Sequence, residues 1–102
     1  MKKYDLIITP LAMGDIESIT DYLNTFSPNI SLNYYENIDQ AIFSLSTMPE
    51  RCALVRNESL REKGYRWISA RNYTIYFVVD NQNNVVRIER VLYSKREYDV
   101  IL

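Results

Sequence analysis

The stretch that decides the fold is Tyr65–Tyr93, which reads YRWISARNYTIYFVVDNQNNVVRIERVLY. It contains three runs of β-branched and aromatic residues, and these residue types favour strands. The pair Arg71-Asn72 and the polar run DNQNN at residues 80–84 separate the three runs and predict tight turns. We therefore expect an antiparallel meander with strands at residues 65–70, 73–79 and 85–93.

One short strand and two helices are predicted before this meander. The run YDLIIT at residues 4–9 has the length and β-branched content of a strand. Thr9 and Pro10 fit the cap and the first position of a helix. Apolar residues then recur every three or four positions, which indicates one buried stripe on each helix. The first stripe is Ala12, Ile16, Ile19, Leu23 and Phe26, and the second is Tyr35, Ile38, Ile42 and Leu45.

The second helix is expected to start at Ser27-Pro28 and to end at Met48-Pro49, because the residue before a proline is pushed out of the α region. Residues 50–64 read as a connector. The order is then β-α-α-β-β-β in one domain, residues 1–102, of the α+β class. The helical hairpin is expected to pack on one face of an antiparallel sheet. The other face would be free, polar and functional.

Composition excludes several kinds of chemistry. The chain has no histidine and one cysteine, so neither an internal disulfide nor a histidine-based nucleophile pair is possible. The same absence argues against a zinc site, and the two glycines form no phosphate cradle. We expect no metal and no cofactor. Cys52 follows Arg51, whose charge would lower the thiol pKa, but a small apolar filler is the alternative.

The N-terminal apolar run is too short for a signal peptide. No stretch approaches the roughly 18 apolar residues of a membrane span. The expected location is the cytoplasm, with no membrane partner.

Charge is divided unevenly along a chain of formal net charge -1. Residues 1–50 carry two cations, Lys2 and Lys3, against seven acids, whereas the other ten cations lie in residues 51–102. Such a split suggests that the basic half faces an anionic partner. A solvated acidic helix pair beside solvated basic strands is the alternative.

Arg90 is out of place in the alternation of the last strand. Alternate residues of a strand share a face, which puts Arg90 with Val86, Ile88 and Leu92. A guanidinium on an apolar face is costly unless it is paired or opens into a cleft. The two interpretations are an arginine that projects into a site and an arginine at a strand end that is paired with a carboxylate.

Cations and aromatic residues also occur together at both ends of the meander. Arg66 and Arg71 flank its first strand, beside Tyr65 and Trp67. This combination suits RNA, through phosphate pairing and base stacking, and suits an acidic protein partner equally. Tyr93, Lys95, Arg96 and Tyr98 continue the same chemistry at the C-terminus. A solvated turn followed by core packing is the alternative there.

Four stretches of the chain resemble, in their order and spacing, the RelE/ParE superfamily of toxins. They are YDLIITPLAMGDIESITDYL at residues 4–23, AIFSLSTMPER at 41–51, GYRWISARNYTIYFVVD at 64–80 and VVRIERVLYSKREYDVIL at 85–102. Members of this superfamily are the toxin halves of type II toxin–antitoxin systems and are also called plasmid stabilisation proteins. The resemblance spans nearly the whole chain and implies the β-α-α-β-β-β fold.

The resemblance implies two alternative activities. RelE-like members are mRNA interferases that cut mRNA in the ribosomal A site without a metal. Their reaction is attack of a 2′-hydroxyl on the adjacent phosphate, so the protein must stabilise extra phosphate charge. ParE-like members inhibit DNA gyrase and have no established chemistry of their own. A protein of this fold that only binds its partner and represses an operon is a third alternative. Only the RelE-like alternative is an enzyme.

Site residues carry over from the superfamily in part. Lys95-Arg96-Glu97 matches the RelE-type KRE, which would make Arg96 the group that stabilises the phosphate. The candidate catalytic residues are Arg66, Arg90, Tyr93 and Arg96. The candidate residues for binding a substrate or partner are Trp67, Arg71, Lys95 and Tyr98.

Two departures from the RelE-type pattern, one similarity and the net charge favour the ParE-like alternative. Ile68 and Thr74 stand where RelE-type members have basic residues. The ending RVLY is similar to an Arg-Val-Leu-His pattern of ParE-like members, with Tyr93 in place of the histidine. A net charge of -1 is also low for a nuclease that binds the ribosome.

The resemblance also implies partners. A cognate antitoxin would neutralise growth inhibition and is expected to lay an amphipathic helix or strand on the toxin, with acidic groups near the basic half. The cellular target would be DNA gyrase, or the ribosome with its mRNA. Operator DNA would be contacted only through the antitoxin.

Overall fold

The computed structural model describes residues 2–95 and places two helices against a four-stranded sheet. The strands are β1 (Asp5–Ile8), β2 (Tyr65–Ala70), β3 (Tyr73–Asp80) and β4 (Val85–Tyr93), in the spatial order β1-β4-β3-β2. The helices are α1 (Pro10–Asn24), α2 (Pro28–Ser44) and the short α3 (Glu58–Glu62). The expected α+β class and the β-α-α-β-β-β order are confirmed, with α3 as an addition inside the connector.

The sheet is mixed, whereas the sequence predicted an antiparallel one. The meander β2-β3-β4 is antiparallel, but β1 pairs in parallel with β4, from Asp5↔Val85 to Ile8↔Ile88. A parallel pair needs a long crossover, and the helical hairpin between β1 and the meander begins that crossover. The residues of β1 show that it is a strand, but they do not determine which strand it joins.

Helix α1 begins as its sequence predicts. The Thr9 hydroxyl oxygen accepts a hydrogen bond from the Ala12 N–H at 3.1 Å, and Pro10 occupies the first turn. Four of the five predicted stripe residues are buried: Ala12, Ile16, Ile19 and Leu23. The fifth, Phe26, lies beyond the last helical residue and is 64% exposed. The helix ends before the stripe does.

Helix α2 ends at Ser44, earlier than the predicted Met48. Arg51 folds back and donates from Nη1 to the carbonyl oxygens of Thr47 at 2.9 Å and Met48 at 3.0 Å, and from Nη2 to the Ser44 hydroxyl. Nη1 also donates to the Ser44 carbonyl oxygen at 3.3 Å, one of the last carbonyl groups that a helix leaves without an internal partner. Tyr35, predicted in the buried stripe, is 46% exposed. The stripe is instead completed by Ser31, with Tyr34 half-buried beside it.

The main core lies between the hairpin and one face of the sheet. The largest side chains that are fully buried there are Ile38, Leu45, Ile75, Phe77 and Ile88.

The opposite face of the sheet is partly covered, contrary to expectation. Val55 and Leu60 of the connector pack on Tyr76 and Leu92 and form a second apolar cluster with Tyr65 at its side. The connector therefore supplies a small core of its own, and only part of that face remains open.

The alternation of β4 changes at a bulge. Tyr76 pairs with Arg90 while its neighbour Phe77 pairs with Ile88, so Glu89 is an extra residue on β4. Val86 and Ile88 consequently belong to the main core, whereas Leu92 belongs to the second cluster. The predicted shared face of Val86, Ile88 and Leu92 was therefore wrong, because one inserted residue reverses the alternation.

Among residues 2–95, no helix is long and apolar enough to cross a membrane.

Candidate functional site

Arg90 is paired with a carboxylate on α1. Its Nε donates to Asp15 Oδ2 at 2.7 Å and its Nη2 donates to Oδ1 at 2.9 Å. The side chains of Arg90 and Asp15 are 12% and 13% exposed. The hydrogen bond to Asp15 raises the pKa of Arg90, burial opposes the rise, and the charge of Asp15 adds to it. Of the two interpretations of Arg90, the paired one is observed.

Asp15 also covers an edge of the sheet. Strand β1 ends at Ile8, and the Thr9 N–H makes the last backbone bond of this edge, to the Ile88 carbonyl oxygen at 3.1 Å. Beyond that point, the N–H of Val91 donates to Asp15 Oδ2 at 3.0 Å. One carboxylate therefore joins α1 to both the backbone and a side chain of β4, beyond the last residue of β1.

Arg66 lies on β2, with β3 between its strand and that of Arg90. Its Nη1 donates to the carbonyl oxygens of Cys52 at 2.6 Å and Glu50 at 3.3 Å, and its Nη2 is 3.8 Å from the Glu50 carboxylate. The guanidinium thus holds the start of the connector against β2. The structure does not bring Arg66 and Arg90 into one cluster.

Tyr93 closes β4 and lines a groove between α1 and the sheet. The groove has a volume of about 680 Å³ and is lined by Asp15, Ser18, Ile19, Tyr22, Tyr73, Val91, Leu92 and Tyr93. We call it the tyrosine groove. The Tyr73 and Tyr93 rings meet edge-on with centroids 5.9 Å apart. Burial raises the pKa of Tyr73, and the neighbouring tyrosines, Tyr34 first, raise it further.

The turn between β2 and β3 is attached to α2. Arg71 has a φ of 54°, a value that glycine adopts most easily, and its guanidinium lies 4.5 Å from the centroid of the Tyr34 ring. The side-chain amide of Asn72 donates to the Tyr34 hydroxyl at 2.9 Å. Arg71 is therefore engaged with the hairpin.

The remaining predicted residues lie in three places. Lys95 is exposed in the turn that follows β4. Arg96 and Tyr98 lie outside the described residues. Trp67 is 40% exposed and lines a cavity of about 260 Å³ on the sheet face opposite the hairpin, with Arg56, Thr74 and Tyr76. Arg56 was not singled out from the sequence, where only its position after the apolar run ending at Val55 could have indicated it.

Cys52 behaves as the apolar filler of the two alternatives. Its side chain packs against the main core. Burial raises the pKa of the thiol, and this outweighs the charges of Arg51 and Arg66, which lower it. Within residues 2–95, no group of three or more Cys, Asp or Glu side chains could hold a metal ion.

Comparison with known proteins gives a family. A model described as the ParE toxin of the type II toxin-antitoxin system parDE matches residues 6–98. No curated protein matches the sequence.

Two solved structures share the fold. A chain of the chromosomal ParDE toxin–antitoxin system from P. aeruginosa superposes with a TM-score of 0.74 at 19% identity, covering 93% of this chain and 100% of that one. A chain of the RelBE2 toxin–antitoxin complex from Mycobacterium tuberculosis superposes with a TM-score of 0.66 at 22% identity, covering 89% of this chain and 98% of that one. These likenesses support the fold, while the family model spans nearly the whole sequence. The protein therefore belongs to the ParE toxin family of type II toxin–antitoxin systems.

Proposed function

We propose that this toxin inhibits growth in the cytoplasm by acting on DNA gyrase, as a single domain, and that a cognate antitoxin neutralises it. The observation that carries the choice of gyrase is the engagement of two of the three arginines that RNA cleavage would use, Arg66 and Arg90. Arg90 is bound to Asp15, and Arg66 is bound to the connector. Neither presents a free fork of donors to a phosphate, which is what charge stabilisation during cleavage requires.

The two positions that lack RelE-type cations support the same choice. Ile68 packs against the main core. Thr74 is 8% exposed, and its hydroxyl lies 2.9 Å from that of Ser94. Both side chains contribute to packing, so neither position could stabilise a phosphate.

RelE-like mRNA cleavage is the second candidate, and the matching Lys95-Arg96-Glu97 sequence favours it. A partner-binding protein without toxicity is the third. In all three cases we expect the antitoxin, rather than this chain, to contact operator DNA.

One pair of assays separates the first two candidates. The purified protein is added to gyrase with relaxed plasmid, and separately to a cell-free translation reaction in which mRNA ends are mapped. We expect loss of supercoiling and intact mRNA. Cuts at A-site codons with normal supercoiling would reverse the assignment. In that event Arg96→Ala should slow the cutting by about 10²-fold, the effect of losing one transition-state donor.

Expression in cells tests the third candidate. We expect growth arrest when the gene is expressed alone and recovery when the neighbouring antitoxin gene is co-expressed. Normal growth with the toxin alone would contradict both toxic mechanisms.

A further inference from the structure

Among the described residues, no strand pairs with the outer edge of β4 beyond the end of β1. The two strands pair only as far as Ile8↔Ile88, whereas β4 continues to Tyr93. In this stretch the Val91 N–H points outward, to Asp15, and the Ser94 N–H points to the β3 side, where it donates to the Asn72 carbonyl oxygen at 2.9 Å.

These two bonds fix the direction of the intervening backbone groups. In an antiparallel ladder the N–H and C=O of one residue point to the same side, and successive residues alternate. The outward groups are therefore the Val91 carbonyl and both the N–H and the carbonyl of Tyr93. None of the three has a hydrogen-bond partner among residues 2–95. Such an edge is a template for an added strand.

The tyrosine groove runs along this edge. Three consecutive residues of β4 line the groove, namely Val91, Leu92 and Tyr93. Its volume of about 680 Å³ lies within the ~300–1,000 Å³ that is usual for binding clefts. An extended segment that paired with Tyr93 would place alternate side chains in the groove.

The groove favours a cationic side chain. Tyr22, Tyr73 and Tyr93 line it, and the faces of aromatic rings attract ammonium and guanidinium groups. Asp15 Oδ1 accepts one hydrogen bond, from Arg90, and can accept another. Helix α1, which forms one wall of the groove, contains no lysine or arginine, so it places no positive charge beside Asp15.

We propose that an extended segment of the antitoxin adds as a strand to the β4 edge at Tyr93 and inserts a lysine or arginine side chain into the tyrosine groove. Main-chain bonds at the edge would supply affinity, and the cation among the tyrosines would supply specificity. This proposal rests on the proposed function in one respect, which is that the antitoxin supplies the strand.

Synthetic peptides test the chemistry of the site. The probes are capped pentapeptides TVRVT and TVEVT, and TVRVT with both valines N-methylated, titrated into ¹⁵N-labelled toxin. We expect TVRVT to shift the Val91 and Tyr93 amide signals and to bind at least about tenfold more tightly than the other two, the change for roughly one lost bond. Equal binding of TVEVT, or shifts confined to Arg56 and Trp67, would overturn the proposal, as would the absence of any shift.

The complex with the antitoxin tests the source. Hydrogen exchange of the Tyr93 amide should slow at least about tenfold when the product of the neighbouring antitoxin gene binds. Tyr93→Pro removes the outward N–H without touching the β3 ladder, and Tyr93→Ala is its control, since both remove the ring. We expect antitoxin to bind Tyr93→Pro about tenfold more weakly than Tyr93→Ala.

Unchanged exchange at Tyr93 in a tight complex, or equal affinity of the two variants, would exclude the antitoxin strand. Failure of gyrase inhibition would leave these readouts untouched, so the two proposals can fail separately.

Discussion

Met48 is the residue at which the backbone departs most clearly from what its side chain prefers. It has a φ of 47° and a ψ of 49°, in the left-handed region, where a non-glycine residue costs about 1–2 kcal/mol. The side chain is 60% exposed, so its packing contributes little stability to offset this cost. The Arg51 bonds to the carbonyl oxygens of Thr47 and Met48 hold this conformation. The strain at Met48 is thus maintained by the Arg51 contacts with the turn that follows α2.

Replacing Met48 with glycine should therefore stabilise the protein. Met48→Gly removes the left-handed penalty but increases the entropy of the unfolded chain, so we expect a net gain of at most about 1 kcal/mol in the free energy of unfolding. Urea denaturation followed by circular dichroism measures the change. Thr47→Gly is the control, because the φ of Thr47 is not positive, and this variant should lose stability. A lower midpoint for Met48→Gly would show that the side chain contributes more than the strain costs.

The elements of the fold could be predicted from the sequence far better than their contacts. Runs of β-branched residues gave β2, β3 and β4 almost to the residue, because each run is bounded by turn residues that act locally. The parallel position of β1 and the bulge at Glu89 could not be predicted, since both depend on strands distant in sequence. The candidate site was predicted least well. Arg90 and Arg66 were both chosen as candidate site residues, but their partners, Asp15 and the Cys52 carbonyl, could not be predicted because they are distant along the chain.

The attachment of α1 to β4 depends on one carboxylate. Asp15 accepts bonds from Arg90 and from the Val91 N–H, and both side chains of the ion pair are largely buried. Asp15→Asn keeps the shape but loses the charge and turns an amide towards Arg90. We expect a loss of about 2–3 kcal/mol in the free energy of unfolding, the cost of breaking charge-assisted bonds in a partly buried site.

Chemical denaturation of Asp15→Asn beside Asp21→Asn isolates this effect. Asp21 is an exposed carboxylate on the same helix with no hydrogen bond or ion pair to any described residue, so its variant controls for the loss of one negative charge. Asp21→Asn should change stability by less than about 0.5 kcal/mol. Similar losses in the two variants would mean that Asp15 acts through net charge rather than through its bonds.

At the scale of the whole molecule, the acidic helices and the basic strands are less separate than the sequence suggests. Several of the basic-half arginines are bound within the fold: Arg90 to Asp15 of the hairpin, Arg66 to the connector and Arg51 to the segment that follows α2. Arg71 lies over Tyr34 of α2. Some of the cations of the basic half therefore join the sheet to the helices, and others are available to a partner.

Tyrosines on both faces of the sheet make the fold sensitive to alkaline pH. Burial raises the pKa of Tyr73 in the main core and of Tyr65 beside the second cluster. The folded protein then retains these protons at a pH at which the unfolded chain has lost them, so stability is full below about pH 10 and falls as pH rises further. Urea unfolding from pH 8 to 11 should show this fall in the free energy of unfolding. The slope for each tyrosine should stay below ~1.4 kcal/mol per pH unit, the value for a difference of one whole proton between the folded and unfolded states. Tyr73→Phe keeps the ring contacts and should make the slope shallower. An identical slope in this variant, or a flat profile in the natural protein, would contradict the assignment.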